Sequence, residues 1–314
     1  MAQSELAKRV AVAAVMIPVV ALAAYAGGWV LALALAFFAA GGAIELARIA
    51  RAAGAEPFDV AAGAASAGMV LIAATIGDAA VASHLWALLL TLLTLGALAV
   101  AIFRRGPTRR PLASVGATLI APILCGIPLA HAFFLRHLLP DGADEWARVA
   151  ATQGFTRGIF DAAIANGANL SAWTGLALLG FPLIVTWVND SAAYFVGRAV
   201  GRRKLIPTVS PGKTVEGAWG GTIAAVVVGA LYAMLLLGGA LDLPIGVVGG
   251  SLGALLVSIA AQIGDLAESL LKREAGVKDS GTIFPGHGGI LDRLDALFFA
   301  FPVGYWALLI ALGS

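Results

Sequence analysis

The residues best suited to chemistry lie in one short stretch, KDSGTIFPGHGGILDRLD, which runs from Lys278 to Asp295. Charged residues make up only 12% of the 314-residue chain, yet this stretch brings together acids, bases, a histidine and four glycines. Asp292 and Asp295 are three residues apart at the start of an apolar run, so they share one face of the helix predicted there. Neighbouring carboxylates, bases and glycine-rich turns are typical of sites that bind a metal ion and phosphate groups.

Further acids precede this stretch inside apolar runs. Asp265, Ser269 and Lys272 recur with the spacing of a single helix face. Asp265 precedes Lys272 by about 10 Å of helix, and Asp190 precedes Arg198 by about 12 Å, at a rise of about 1.5 Å per residue. A carboxylate at such a depth in a bilayer is costly unless it faces water, a cation or another polar group. The sequence therefore predicts a pocket that is lined by acids and open to one membrane face.

The side chains of this pocket indicate which ligand it would hold. The candidate metal ligands are carboxylates without a matching cluster of Cys or His, which suits Mg²⁺ rather than Zn²⁺. The interleaved bases suit phosphate oxygens, and they are Lys213, Lys272, Arg273, Lys278 and Arg293. Together these features favour phosphoryl or nucleotidyl transfer. A purely structural role for Asp292 and Asp295 is the alternative, because the helix dipole stabilises acids at a helix N-terminus.

Composition identifies the elements that must position these residues. The chain is 60% apolar with a mean hydropathy of +0.93, which is more apolar surface than a water-soluble core can bury. Apolar runs long enough to cross a bilayer predict an all-α, polytopic membrane bundle of about nine transmembrane helices, at residues 10–25, 29–46, 58–76, 84–103, 112–139, 173–197, 217–237, 244–271 and 290–312. The first run has features of a signal peptide, but we expect it to be retained as a helix. Pro122 and Pro128 predict a kink or break in the fifth run, and the single cysteine, Cys125, excludes an intrachain disulfide.

The distribution of Lys and Arg predicts the orientation of the bundle. With the N-terminus in the cytoplasm, all but three of the 20 Lys and Arg residues fall in cytoplasmic segments, and the exceptions are Arg136, Arg148 and Arg157. We therefore expect a cytoplasmic N-terminus, a C-terminus outside, and the acidic pocket at the cytoplasmic face of the inner membrane. Residues 1–172 would hold the N-terminal transmembrane helices and an outward loop, and residues 173–314 the C-terminal helices with the catalytic site.

A resemblance to a known family makes these expectations more specific. The stretch SLLKREAGVKDSGTIFPGHGGILDRLD, residues 269–295, resembles the signature of the phosphatidate cytidylyltransferases, also called CDP-diacylglycerol synthases. That signature reads S, two residues, KR, four residues, KD, and after a short gap HGG, two residues, DR, one residue, D, and every fixed position is present. Residues 190–217, which end in SPGKTVEG, are similar to the family's preceding cytoplasmic region, with Gly212 where a lysine is usual. The close similarity covers residues 188–299, and the N-terminal helices agree only in being apolar.

This resemblance implies that CTP and phosphatidic acid react to give CDP-diacylglycerol and pyrophosphate, with one or two Mg²⁺ ions. It implies Asp265 and Asp292 as metal ligands, with Asp295 as a third ligand or a neighbour of the ligands. The implied catalytic residues are Lys272, Arg273, Lys278 and Asp279. The implied substrate-binding residues are Asp190, Ser210, Lys213, Thr214, Glu216, Ser269, His287 and Arg293. The expected partners are CTP, phosphatidic acid and membrane lipids, with a homodimer as the candidate oligomeric state and no nucleic acid.

Other functions remain open from the sequence. A CTP-dependent lipid kinase would use similar groups, but it would transfer the γ-phosphate and release CDP. A secondary transporter would use the intramembrane acids as an ion relay, although transporters often carry matched broken helices in both halves, and here the polar motifs crowd into the C-terminal part. A purely structural membrane scaffold would leave the intramembrane acids unexplained.

Overall fold

The computed structural model describes residues 2–138, 170–283 and 288–313. Within these residues the chain forms ten α-helices and one antiparallel two-stranded hairpin. The helices are α1 (Ala2–Ala26), α2 (Gly28–Ala52), α3 (Asp59–Ile76), α4 (Ala79–Val100), α5 (Pro111–Ala121), α6 (Ile127–Arg136), α7 (Leu170–Val200), α8 (Val215–Tyr232), α9 (Val247–Glu274) and α10 (Leu291–Ala311). The hairpin strands are β1 (Lys204–Ile206) and β2 (Ser210–Thr214).

The helices confirm the prediction of an all-α, polytopic membrane protein. In the described part of the chain, eight helical segments are long and apolar enough to cross a bilayer: Gly28–Ala52, Asp59–Ile76, Ala79–Arg105, Pro111–Arg136, Ala172–Val200, Val215–Ala240, Val247–Glu274 and Leu291–Ala311. Helix α1 contributes a shorter apolar stretch, Ala14–Ala26. The orientation of the termini stays a prediction.

Several helices continue beyond the apolar runs that predicted them. Helix α2 ends at Ala52, past the predicted end at residue 46. Gly54 then adopts a left-handed backbone with φ of 88°, and the N–H of Ala55 donates to the carbonyl of Ala50 over 3.0 Å. This is the bonding pattern with which a glycine closes a helix. Hydropathy marks only the apolar part of a helix, whereas the hydrogen-bonded turns continue until a residue such as Gly54 ends them.

The fifth predicted span is interrupted where its first proline lies. Helix α5 gives way to a π-helical segment, Pro122–Gly126, before α6 begins at Ile127. Proline has no N–H to donate, and its ring clashes with the carbonyl four residues earlier, so the regular ladder cannot continue there. The predicted irregularity is therefore present as a widened turn.

Helices α2 and α3 pack closely through small side chains. Ala32, Ala39 and Ala43 on α2 have no exposed surface. On α3, a β carbon at Gly63 would lie 3.2 Å from the side chain of Ile44. Small residues let helix backbones approach closely, which is the usual basis of helix packing in membranes.

Side chains of α5 hold the loop between α2 and α3. The hydroxyl of Ser114 accepts the N–H of Glu56 over 2.9 Å, and the hydroxyl of Thr118 accepts the N–H of Phe58 over 2.9 Å. The guanidinium of Arg105 lies 3.8 Å from the centroid of the Phe58 ring. These contacts satisfy loop N–H groups that no helix pairs, and they attach the end of α2 to α5.

The hairpin connects α7 to α8 and contains the predicted SPGKTVEG loop. Thr214 ends β2 and caps α8, because its hydroxyl accepts the N–H of Gly217 over 3.1 Å. The carboxylate of Glu216 accepts the backbone N–H of Arg202 over 3.0 Å and that of Arg203 over 3.1 Å. The start of α8 is thereby tied to the residues that follow α7.

Contacts divide the chain into two compact units. One consists of residues 1–134 and 264–298, and the other of residues 135–263 and 299–314. We call them the first and the second unit. Helices α9 and α10 contribute residues to both. The predicted boundary between residues 172 and 173 stays a prediction.

Candidate active site

Asp292, in the first turn of α10, is the centre of a polar cluster in the first unit. Its Oδ2 accepts the N–H of Gly289 over 2.8 Å, the N–H of Ser280 over 2.9 Å and the hydroxyl of Ser280 over 2.9 Å. Its Oδ1 accepts from Nζ of Lys272 over 2.8 Å. The carboxylate therefore has a defined orientation, with one oxygen facing backbone donors and the other facing a cation.

Lys272, in the last turn of α9, connects two acids. Besides Asp292, its Nζ contacts Oε2 of Glu268 over 2.7 Å, one helical turn earlier. The side chains are poorly exposed, at 15% for Lys272, 11% for Asp292 and 7% for Glu268. Removing one member of such a shielded pair leaves a charge without compensation, so the cluster depends on all three groups.

The glycines of the HGG motif allow the backbone to wrap around these carboxylates. Gly288 has φ of 82°, and a β carbon there would lie 2.6 Å from Oδ2 of Asp292. A β carbon at Gly289 would collide with the hydroxyl of Ser280 and with the carboxylate of Glu45. Any side chain at these two positions would therefore push the backbone donors away from Asp292. In the structure the glycine-rich turn approaches the carboxylate of Asp292, and its approach to a bound substrate stays a prediction.

Glu45, which the sequence interpretation overlooked, belongs to the same cluster. It lies on α2 and has no exposed surface. Its Oε2 accepts the hydroxyl of Ser280 over 2.9 Å and the N–H of Leu291 over 3.0 Å. A signal for it existed, because Glu45 is an acid within a predicted transmembrane run, and such acids are functional by default.

The remaining predicted residues of α9, of α10 and of the segment between them also lie in the first unit. The hydroxyl of Ser269 lies 3.5 Å from Oδ1 of Asp265, which confirms that these residues share a helix face. Asp295 lies within electrostatic range of Glu268, and its Oδ1 accepts the N–H of Ala296 over 2.7 Å. Four further predicted residues are exposed: Arg273, Lys278, Asp279 and Arg293. His287 lies outside the described residues.

The other predicted substrate-binding residues belong to the second unit. Asp190 is exposed on α7, and its Oδ1 accepts from Nδ2 of Asn189 over 3.1 Å. Asn189 is itself buried, and its Oδ1 accepts from Ser258 over 2.8 Å and from Gln262 over 3.1 Å. The other four predicted residues lie on or beside the hairpin, and they are Ser210, Lys213, Thr214 and Glu216. Their substrate contacts stay predictions.

The first unit offers oxygen ligands that suit a hard cation. Among the described residues, Oε1 of Glu45 and Oε1 of Glu268 are buried without a hydrogen-bond partner. Glu45, Glu268 and Asp292 together carry three formal negative charges beside the one ammonium of Lys272. Buried carboxylate oxygens without donors are costly, and a cation would offset that cost. Within the same residues, no three Asp, Glu, His or Cys side chains are arranged to hold a metal by themselves. Mg²⁺ commonly binds one or two carboxylates and completes its shell with water and substrate phosphates.

Comparison with known proteins adds to this geometry. The model of the Cytidylyltransferase family matches residues 7–311. A phosphatidate cytidylyltransferase of Bacillus subtilis (strain 168) is 46% identical over 134 residues, which are 43% of this chain and 48% of that protein. One of Brucella suis biovar 1 (strain 1330) is 50% identical over 127 residues, 40% of this chain and 44% of that protein. An uncharacterized protein of Escherichia coli (strain K12), YnbB, is 45% identical over 132 residues, 42% of each chain. The matched stretch spans less than half the length of each of these relatives.

Proposed function

Because the chain belongs to the cytidylyltransferase family, we propose that it transfers the cytidylyl group of CTP to phosphatidic acid and so forms CDP-diacylglycerol and pyrophosphate. The observation that carries the proposal is the Lys272–Asp292 pair, 2.8 Å apart within the stretch that resembles the synthase signature. The relatives from Bacillus subtilis and Brucella suis carry the name of this activity, which supports the same substrates for this chain.

The proposed reaction exchanges one phosphorus–oxygen bond for another. A phosphate oxygen of phosphatidic acid forms a bond to the α-phosphorus of CTP. The bond from that phosphorus to the bridging oxygen breaks, and pyrophosphate leaves with the electron pair. The attacking phosphate is ionised near neutral pH, so the step needs no general base. We therefore assign to His287 a positioning role rather than a proton transfer.

Positive side chains of α9 and the following turn stabilise the charge that develops in this step. An ammonium has three N–H donors, and Lys272 uses two of them on Glu268 and Asp292. The third is the donor that we assign to a phosphate oxygen of CTP. Arg273 and Lys278 are exposed at the same end of α9, where they would add charge neutralisation in the transition state. We assign Asp279, Ser269 and Arg293 to the same surface.

We further propose that Mg²⁺ is the cofactor and that Asp265, Asp292 and Asp295 would hold one or two ions. The bound ion would neutralise the triphosphate and stabilise the leaving pyrophosphate. The buried, unpartnered oxygens of Glu45 and Glu268 support a cation in this cluster. In the structure, all oxygens of Asp292 already accept from protein donors, so its role as a ligand requires Lys272 to share Oδ1.

The membrane location is explained by the lipid substrate. The chain is a multi-pass membrane protein, and we place it in the inner membrane with the cluster at the cytoplasmic face, because nearly all Lys and Arg residues fall on that side in the predicted topology. Phosphatidic acid would then reach the site from the bilayer, and CTP from the cytoplasm. A homodimer is our working proposal for the oligomeric state, and mass measurement of the detergent-solubilised protein tests it.

Product analysis tests the proposed function directly. Purified protein receives CTP labelled in the cytosine, together with phosphatidic acid and Mg²⁺. We expect labelled CDP-diacylglycerol and one pyrophosphate for each product molecule. Release of CDP without labelled lipid would instead identify a lipid kinase. Solute counterflow in proteoliposomes without CTP, combined with no labelled lipid, would identify a transporter and refute the proposal.

A further inference from the structure

We infer that Glu45 on α2 is a positioning residue for the transfer site, which orients Asp292 through Ser280 and the start of α10. Its predicted effect on turnover rests on the proposed function, whereas its predicted effect on backbone protection does not. The residue lies far outside the signature stretch, since 235 positions separate it from Ser280.

The burial of Glu45 makes its hydrogen bonds important. The residue has no exposed surface, and a carboxylate without water must find donors inside the protein. Oε2 finds two, the hydroxyl of Ser280 and the N–H of Leu291. Within the described residues, Oε1 finds none. Retaining an ionisable side chain with one oxygen unpaired has a cost, which a purely apolar contact at this position would avoid.

Close packing of α2 against α10 brings the carboxylate to this position. A β carbon at Gly41 would collide with Ile290, and one at Gly42 would lie 3.5 Å from the ring of Phe298. Glu45 lies one helical turn further along the same face. Its Oε2 therefore reaches the first N–H group of α10, which has no acceptor within the helix. Negative charge at this end is also favoured by the helix dipole.

Ser280 transmits the effect of Glu45 to Asp292. Its hydroxyl oxygen lies 2.9 Å from Oε2 of Glu45 and 2.9 Å from Oδ2 of Asp292. A hydroxyl has one proton to donate, so these two carboxylates compete for it. The N–H of Asp292 in turn approaches the same oxygen at 3.4 Å. A change of charge at Glu45 therefore alters which of the two carboxylates accepts the hydroxyl proton of Ser280, and with it the orientation of the Asp292 carboxylate.

The variant Glu45→Gln keeps the volume of the side chain and removes its charge. We expect kcat per folded molecule to fall about ten- to hundredfold, since hydrogen bonds to charged groups are worth more than neutral ones. We expect KM for CTP to change less than about threefold, because losing an interaction that acts only in the transition state lowers kcat and leaves KM nearly unchanged. Ser280→Ala should lower kcat less in the Glu45→Gln background than in the wild type, because both substitutions affect Asp292 through the hydroxyl of Ser280.

A matched control is Glu56→Gln in the same unit. Glu56 is an acid whose carboxylate pairs with the exposed Arg109 over 2.9 Å, and we expect kcat at the wild-type level. A purely structural role for Glu45 predicts a lower Tm with unchanged kcat per folded molecule. That outcome, or wild-type kcat in Glu45→Gln, would overturn the inference.

Hydrogen exchange without substrates separates this inference from the proposed function. If Glu45 only caps α10, the variant should speed hydrogen exchange at the amide of Leu291 alone. If it positions Asp292, the amides of Ser280 and Gly289, which donate to that carboxylate, should exchange faster as well. Unchanged exchange at those two amides would overturn the inference even if the wild type forms no CDP-diacylglycerol. Absent product with faster exchange would refute the proposed function alone.

Discussion

The substitution Asp292→Asn removes one charge from the cluster and changes little else. The amide keeps an oxygen that can accept from Ser280 and Gly289, but it places an NH2 group opposite Lys272. Breaking a buried pair costs about 3–5 kcal/mol, and an exposed pair is worth about 0–1 kcal/mol. The exposures of 15% and 11% place this pair near the buried case. Glu268 still contacts Lys272, so we expect a stability loss of about 2 kcal/mol.

The effect on turnover should be larger than this stability loss explains. A protein that is stable by about 5–15 kcal/mol remains almost fully folded after losing about 2 kcal/mol. We nevertheless expect kcat to fall at least about a hundredfold, which corresponds to about 2.7 kcal/mol of transition-state stabilisation. The assay measures CDP-diacylglycerol formation by the folded fraction that gel filtration isolates.

Asp59→Asn provides the matched control for this prediction. Asp59 is also in the first turn of a helix, pairs with Arg51, and its side chain is 29% exposed. If Asp292 served only to complement a helix dipole, the two substitutions would have similar and small effects on turnover. Near-normal turnover in folded Asp292→Asn, or equal losses in both variants, would refute the reasoning.

Two further predictions concern a glycine and a helix cap. In Gly289→Ala, the new methyl group would collide with the carboxylate of Glu45 and the hydroxyl of Ser280, so we expect kcat to fall at least about tenfold, measured as CDP-diacylglycerol formation. In Thr214→Ala, α8 loses the hydroxyl that accepts the N–H of Gly217 over 3.1 Å, so we expect a stability loss of about 1 kcal/mol, measured as a lower Tm in detergent.

Each of these two substitutions has a control on α4. Apart from its chain neighbours and the backbone of its own helix, a β carbon at Gly96 would have no atom within 4 Å, so Gly96→Ala should leave turnover unchanged. Thr91 is exposed, and its hydroxyl donates to the carbonyl of Ala87 one turn earlier, so Thr91→Ala should change Tm less than Thr214→Ala does. If Gly289→Ala and Gly96→Ala lowered kcat equally, or Thr214→Ala and Thr91→Ala lowered Tm equally, the role assigned to the corresponding contact would be wrong.

The helices were predictable because a bilayer sets a length and a composition for each crossing. Apolar runs at residues 58–76 and 290–312 correspond closely to α3 and α10. The shared face of Asp265 and Ser269 was predictable for a similar reason, because helical periodicity places residues four apart together. The hairpin β1–β2 was not predicted, since its strands are short and half polar, and strand pairing depends on contacts rather than on periodicity.

The local contacts of Thr214 and Glu216 were not predicted, although the sequence carried a signal for one of them. The sequence interpretation assigned both to substrate binding, and that assignment stays a prediction. Their observed contacts are local, since Thr214 caps α8 and Glu216 accepts from the backbone after α7. Threonine is a preferred N-cap residue and acids are common in the first turn of a helix, so the sequence could have indicated that Thr214 caps α8.

The sequence by itself determined the class of protein and the signature that carries the proposed chemistry. Both are local properties, because hydropathy and motif spacing are read along one segment at a time. The tertiary structure decided that Lys272 bridges two acids and that Glu45 reaches Ser280 from a position 235 residues away. No local rule sets such a contact, because it depends on how closely α2 packs against α10 in the folded bundle. The glycines at positions 41 and 42 allow this close packing, since a side chain there would meet Ile290 or Phe298.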